Sequence, residues 1–131
     1  MKCFLKKHGL TLFSMLFIIT ASSIPKLRAP DLGFRFMDKV IHFGVYLILG
    51  FFIQRSFRIE RPLSTKLWMV VFFTGALFGA SDEWHQSFVP GRTTDIFDWT
   101  ADCAGIACGQ WIFFKAAWRK WFGPFKFLVD F

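Results

Sequence analysis

Four long apolar runs with charged residues at their margins leave this chain few ways to fold. They cover residues 9–24, ended by Pro25, then 38–53, 67–81 and 96–118. Crossing a hydrocarbon core takes about 20 helical residues. The strictly apolar stretches are shorter, so the spacing predicts helices that also take in the polar residues at their ends. In the third run that continuation is Asp82-Glu83-Trp84-His85-Gln86, stopped by Pro90-Gly91; the fourth carries Asp98 and Asp102 in its first half. The expected fold is therefore all-α: a single domain over residues 1–131, built as an integral membrane bundle of four transmembrane helices.

Composition supports lipid as the solvent. Of 131 residues, 54% are hydrophobic and 21% aromatic, with 20 Phe and 6 Trp. A water-soluble domain of this size cannot bury that much apolar surface. A net charge of +7 could suggest nucleic acid. The basic residues, however, sit in short clusters flanking the apolar runs, which fixes orientation in a membrane, so nucleic acid is not an expected partner. Tryptophans and phenylalanines near the run ends suit interfacial anchors. Cys103 and Cys108, five residues apart, fall on different faces of one helix, out of disulfide reach. No Cys/His spacing resembles a zinc finger, and there is no P-loop, nucleophile motif or zinc-protease helix.

The flanking charges predict the topology. Lys2, Lys6 and Lys7 precede the first run, and Arg55, Arg58, Arg61 and Lys66 fill the second connection. Lys115, Arg119, Lys120 and Lys126 close the chain, whereas residues 82–98 hold four carboxylates against Arg92 alone. The positive-inside rule places both termini and the middle connection in the cytoplasm. The first outward connection opposes this, since it carries Lys26, Arg28 and Arg35. The basic start and the Ala21-Ser22-Ser23 that follows the apolar run also have the form of a signal peptide. Cleavage would leave three spans in the same orientation.

That topology brings chemistry to one level. Asp38, His42 and Tyr46 recur at four-residue steps and share a face of the second helix. Asp82, Glu83 and Gln86 gather at the outer end of the third, and Asp98 and Asp102 pair on the fourth, with Asp102 about 6 Å deeper. Arg92 lies on the turn between the last two helices. Singly, each fits a satisfied bundle residue or a helix cap. Together, ionisable groups at one depth in a membrane protein indicate a polar site facing the bundle interior. Gly75 and Gly79, and Gly105 and Gly109, are small-xxx-small pairs that predict close packing of the third helix on the fourth below that site.

Asp38-Lys39-x-x-His42-Phe43-x-x-Tyr46-x-x-Leu49-Gly50, then Ser81-Asp82-Glu83-Trp84-His85-Gln86-Ser87-Phe88-Val89-Pro90-Gly91-Arg92, with Asp98 and Gly105, resemble the VanZ-like family. The combination is specific, and it covers the second to fourth runs. Family members are small bacterial membrane proteins, the namesake being linked to resistance to lipoglycopeptide antibiotics of the teicoplanin type. The resemblance implies that Asp38, Lys39, His42, Asp82, Glu83, Gln86, Arg92 and Asp98 occupy the family's characteristic positions. Asp102 departs from the pattern, which usually has asparagine there, and makes the site more acidic than simple anion binding needs.

Three functions follow as expectations. The first is an inner-membrane protein that binds or modulates an envelope lipid head group or lipid-linked precursor. Lys39, Arg92 and His42 would then meet phosphate, and the carboxylates would orient them or hold a divalent cation. The second is a metal-assisted hydrolase or transferase on such a lipid, in which paired carboxylates and His42 ligate a hard cation that activates water, with Glu83 as general base. The third is a structural membrane protein whose charges keep its helices in register.

Overall fold

The computed structural model describes residues 2–25, 36–58 and 64–119. Four helices account for nearly all of them: α1 (Lys2–Ser22), α2 (Met37–Arg58), α3 (Thr65–Gln86) and α4 (Ile96–Arg119), with no strand among the described residues. The helices do absorb the polar ends of the apolar runs. Helix α2 continues through Gln54, Arg55 and Ser56, and α3 keeps its last turn through Asp82, Glu83 and Gln86. Helix α1 begins well before Gly9, because nothing in residues 2–8 breaks a helix, and it stops ahead of Pro25, which disfavours helical backbone in the residue before it.

By length and composition, two helices are suited to cross a membrane, over Phe4–Ser22 and Met37–Phe57. Helices α3 and α4 are as long, at 22 and 24 residues, but carry Lys66, Asp82 and Glu83, and Asp98, Asp102, Gln110 and Lys115 within them. Several charges that set the expected orientation, Lys26, Arg28, Arg35, Arg61, Lys120 and Lys126, lie outside the described residues.

The bundle buries polar groups beside an apolar core and exposes much of its apolar surface. Gln54, Ser56, Asp82, Gln86, Asp102 and Gln110 are buried alongside Leu49, Ile53, Val71 and Ile106, while Phe13, Leu16, Ile48, Phe73, Leu77 and Trp111 stand exposed. A soluble bundle seldom exposes so many large apolar side chains.

The most extensive contact joins α2 to α4, which run parallel: Lys39 meets Asp98, His42 meets Asp102, and Gln54 meets Gln110. Glycines make this approach possible. Gly105 lies against the backbone of Phe43 and Leu47, and Gly109 against that of Leu47 and Phe51; a methyl group on Gly50 would come within 2.6 Å of the Ile106 carbonyl oxygen. The small-residue pairs therefore divide their work differently from the sequence expectation. Gly105 and Gly109 admit α2 rather than α3, because their Cα–H edges turn toward the parallel helix. Gly75 and Gly79 do face α4, but meet its side chains, Ile106 and Asp102, rather than its backbone.

Helix α1 docks by one stripe. Ser14, Ile18 and Ser22 are buried at four-residue intervals, and Thr11 bonds to Ser56 at 2.8 Å. Hydroxyls at a helix contact let backbones approach and supply interhelical bonds where apolar packing offers no preference over lipid. Ser64 caps α3, its hydroxyl accepting from the Leu67 N–H at 3.2 Å. Gly91, at φ 80°, makes the turn after Pro90 in a left-handed conformation that other residues seldom adopt.

Candidate functional site

At one end of the bundle the last turns of α1 and α3 meet the first turns of α2 and α4. The Lys39 ammonium is the hub of this layer. It donates to Asp38 at 3.0 Å, to Asp95 at 2.9 Å and to Asp98 at 2.9 Å. Three carboxylates thus share one cation, which is why Lys39 turns inward instead of offering itself to an outside anion. Asp38 and Asp95 are the open side, their side chains 47% and 35% exposed, while Asp98 is buried beneath them.

One turn deeper, His42 Nδ1 lies 2.9 Å from Asp102 Oδ1 and 4.0 Å from Glu83 Oε1. With Asp102 ionised the imidazole donates from Nδ1, since a carboxylate only accepts. Asp102 is fully buried, and its second oxygen, Oδ2, has no hydrogen-bond partner. Glu83 uses Oε2 to accept the Asp95 N–H at 3.1 Å, while its Oε1 is buried and likewise without a partner. Such orphaned acceptors are rare in folded proteins and ask for an explanation.

Asp82 forms a third group against α1. Ser22 donates to it at 2.6 Å, Gln86 at 3.0 Å, and Tyr46 more weakly at 3.4 Å. Tyr46 is buried and stacks parallel to His42 at 6.5 Å between ring centroids. Asp38, Lys39, His42, Tyr46, Asp82, Glu83, Gln86, Asp98 and Asp102 are therefore brought together by contacts across all four helices. Arg92 is half-buried on the turn, where its N–H donates to the Val89 carbonyl at 3.1 Å.

Two participants escape a reading of the sequence. Ser22 is an unremarkable serine near the end of an apolar run, and only the fold shows it donating to Asp82. Asp95 reads as a loop carboxylate. It is the N-cap of α4, with Oδ1 accepting the Phe97 N–H at 2.9 Å, and its other oxygen pairs with Lys39. An aspartate one residue before the predicted start of a helix was the available signal. The Lys39 ammonium, then the Phe97 N–H, hold the Asp95 carboxyl below its ordinary range.

One nitrogen of His42 and one oxygen each of Glu83 and Asp98 lie within 4.8 Å of one another, a grouping of metal-ligand types. Elsewhere, a cavity of about 370 Å³ at the opposite end of the bundle is lined by Gln54, Trp68, Gln110 and Phe114, with Ser64 and Thr65 at the start of α3.

Comparison with known proteins adds two positive findings. The family model described as VanZ/LLP1 matches residues 4–119, spanning all four helices. An uncharacterized protein of Schizosaccharomyces pombe is 34% identical over 105 residues, which cover 79% of this chain and 60% of that protein. The chain thus spans about 60% of the length of the curated relative it matches. No solved structure matches.

Proposed function

From the premise that this chain belongs to the VanZ/LLP1 family, we propose that it is a multi-pass protein of the bacterial inner membrane whose carboxylate end receives the polar head group of an envelope lipid or lipid-linked precursor. On this reading the chain is one transmembrane domain with four spans. Both termini lie in the cytoplasm, and the Lys39–His42–Glu83 layer faces outward. The positive flanks of α1 and of the α2–α3 connection support that orientation. The family link to lipoglycopeptide resistance suggests that the physiological readout is susceptibility to teicoplanin-type antibiotics.

The observation that carries the proposal is the convergence of Asp38, Lys39, His42, Glu83, Asp98 and Asp102 on one hydrogen-bonded layer. It is buried below and exposed at Asp38 and Asp95. Ionisable groups are costly at membrane depth, and a functional pocket is the usual reason for them. The experiment replaces Arg92 by alanine and compares antibiotic susceptibility in cells with a thermal melt in detergent. Loss of the phenotype with an unchanged melt is the expected result, and wild-type behaviour in both assays refutes the head-group role. A reporter fused after Phe131 that is active only outside the cytoplasm reverses the topology.

A second reading, a hydrolase or transferase on the same lipid, is favoured by Glu83 Oε1. This buried oxygen lies 4.0 Å from His42 Nδ1 and has no hydrogen-bond partner, which leaves it able to accept a proton from a bound water. Turnover of a phosphate-bearing lipid by wild type and its loss in Glu83→Gln would favour it.

A further inference from the structure

We propose that His42, Glu83 and Asp98 bind a divalent cation, held by one imidazole nitrogen and two carboxylate groups inside the carboxylate end of the bundle. The three donors come from α2, α3 and α4, and their candidate ligand atoms lie within 4.8 Å of one another. Two ligands of one ion can be no farther apart than twice the bond length. That limit is about 4.2 Å for zinc and roughly 5 Å for calcium. The grouping already fits the larger sphere, and a side-chain rotation moving an oxygen by less than about an ångström brings it within the smaller. The imidazole in the set favours Mn²⁺ or Zn²⁺ over Ca²⁺ or Mg²⁺.

Independent observations point to the ion. Glu83 is only 8% exposed, and its Oε1, on the His42 side of the carboxylate, has no hydrogen-bond partner. A buried carboxylate oxygen left in this state is explained by a ligand that meets it. Asp102, fully buried, has Oδ1 2.9 Å from His42 Nδ1. With Asp102 ionised, the ring proton sits on Nδ1 and Nε2 keeps its lone pair, the role a carboxylate takes behind a metal-bound histidine. The charge balance agrees. Asp38, Asp82, Glu83, Asp95, Asp98 and Asp102 crowd one end of the bundle, and the Lys39 ammonium is already divided among Asp38, Asp95 and Asp98. Among the described residues, the ion pairs of the inner carboxylates, Glu83 and Asp102, are with His42, and a divalent cation would add to that single partner.

The inference rests on the head-group reading in one respect: on that reading, the remaining coordination positions of the ion take phosphate oxygens of the lipid. The test uses the full chain purified in detergent, stripped with chelator, and titrated with Mn²⁺ while free Mn²⁺ is followed by electron paramagnetic resonance. One Mn²⁺ per chain, displaced by Zn²⁺, is expected. Glu83→Gln should weaken binding at least tenfold and Asp102→Asn by a smaller factor, while Gln110→Leu, at the far end, should bind as wild type. Each variant is melted without metal, so that a folding defect is seen separately from lost affinity. Failure of wild type to retain Mn²⁺ or Zn²⁺, or equal binding by Glu83→Gln, overturns the ion site. If no ion binds but Arg92→Ala loses its phenotype, the head-group reading stands alone. If Glu83-dependent binding is seen while Arg92→Ala behaves as wild type, the ion site stands and the head-group reading falls.

Discussion

At the carboxylate end, five acidic side chains are arranged around Lys39 and His42, with Asp82 beside them against α1, and two oxygens, on Glu83 and Asp102, have no hydrogen-bond partner. Fifteen residues farther along α2, about 22 Å at helical rise, the other end is just as buried and just as polar. Its chemistry differs. Gln110 donates to Gln54 at 3.2 Å and to the Trp68 carbonyl at 3.0 Å, joining α4 to α2 and α3. Thr11 donates to the Phe52 carbonyl at 2.9 Å and Ser56 to the Lys7 carbonyl at 3.1 Å, joining α1 to α2. Most of these groups are neutral and several meet backbone oxygens. Arg55 is the charged exception, and it too reaches the Lys7 carbonyl, at 3.4 Å. Arg55 apart, register at this end is set by amides and hydroxyls, and the buried oxygen left without a hydrogen-bond partner here, Gln110 Oε1, is neutral. A second layer whose unmet oxygens belong to carboxylates exceeds that need, and this excess of charge is the argument for a ligand.

The sharpest way to break the comparison exchanges the two roles. Glu83→Gln keeps the shape and an oxygen to accept the Asp95 N–H, so the melt should stay within about 1 kcal/mol of wild type. On the proposed function, antibiotic protection should fall at least tenfold. Gln110→Leu should do the reverse. It strands Gln54 Oε1, costing about 1–3 kcal/mol, while on the proposed function protection per folded molecule is unchanged. Thermal melts beside susceptibility assays read both. If Glu83→Gln lowers stability and protection in parallel, the carboxylate end is also a register device.

A smaller effect sharpens the boundary between the ends at α1, which belongs to both. Ser22→Ala removes the 2.6 Å bond to Asp82, which keeps Gln86 and Tyr46 as donors. The expected loss is about 1 kcal/mol, typical of an interhelical bond in a membrane protein. Protection should persist, since Asp82 faces α1 rather than the His42 side. A loss of protection with an unchanged melt would extend the site across Asp82.

How far the sequence could be read follows the same division. Four helices were legible because apolar runs bounded by charge and Pro-Gly breaks are local features. Asp38, His42 and Tyr46 were legible because a four-residue period survives translation into a helix face. The partner of each group was not. That Lys39 serves three carboxylates depends on α2 and α4 lying in contact; a topology of alternating spans makes those two helices parallel but does not say that they touch. The glycine pairs show the limit most clearly. Gly105 and Gly109 announce a close approach but not which helix approaches, since their spacing is equally suited to α2 or α3. Ser22 and the Gln54–Gln110 pair carry no periodic signal, and their meaning is entirely tertiary.

The smallest prediction concerns the exposed rim. Asp95 pairs with Lys39 at 2.9 Å and caps α4 through the Phe97 N–H. Both favour the ionised form and hold its carboxyl below the ordinary value of 3.8. A carboxylate more acidic in the folded chain than in the unfolded one adds stability above the unfolded pKa, and that addition disappears as pH falls through the folded value. Wild type should therefore melt above Asp95→Asn by a constant margin from neutral pH down to about 4. The margin should close as the pH drops further. It is expected to be small, because the pair is open to water and Lys39 keeps Asp38 and Asp98 when Asp95 is neutral. Melting both proteins across this range decides between charge and shape. A margin that survives protonation would mean that Asp95 acts through the geometry of its cap, and that the Lys39 hub is set by Asp98 from below. A margin that closes places the rim in the same charged layer as Glu83 and His42. The carboxylate end would then be acid-sensitive, unlike the largely neutral amide end.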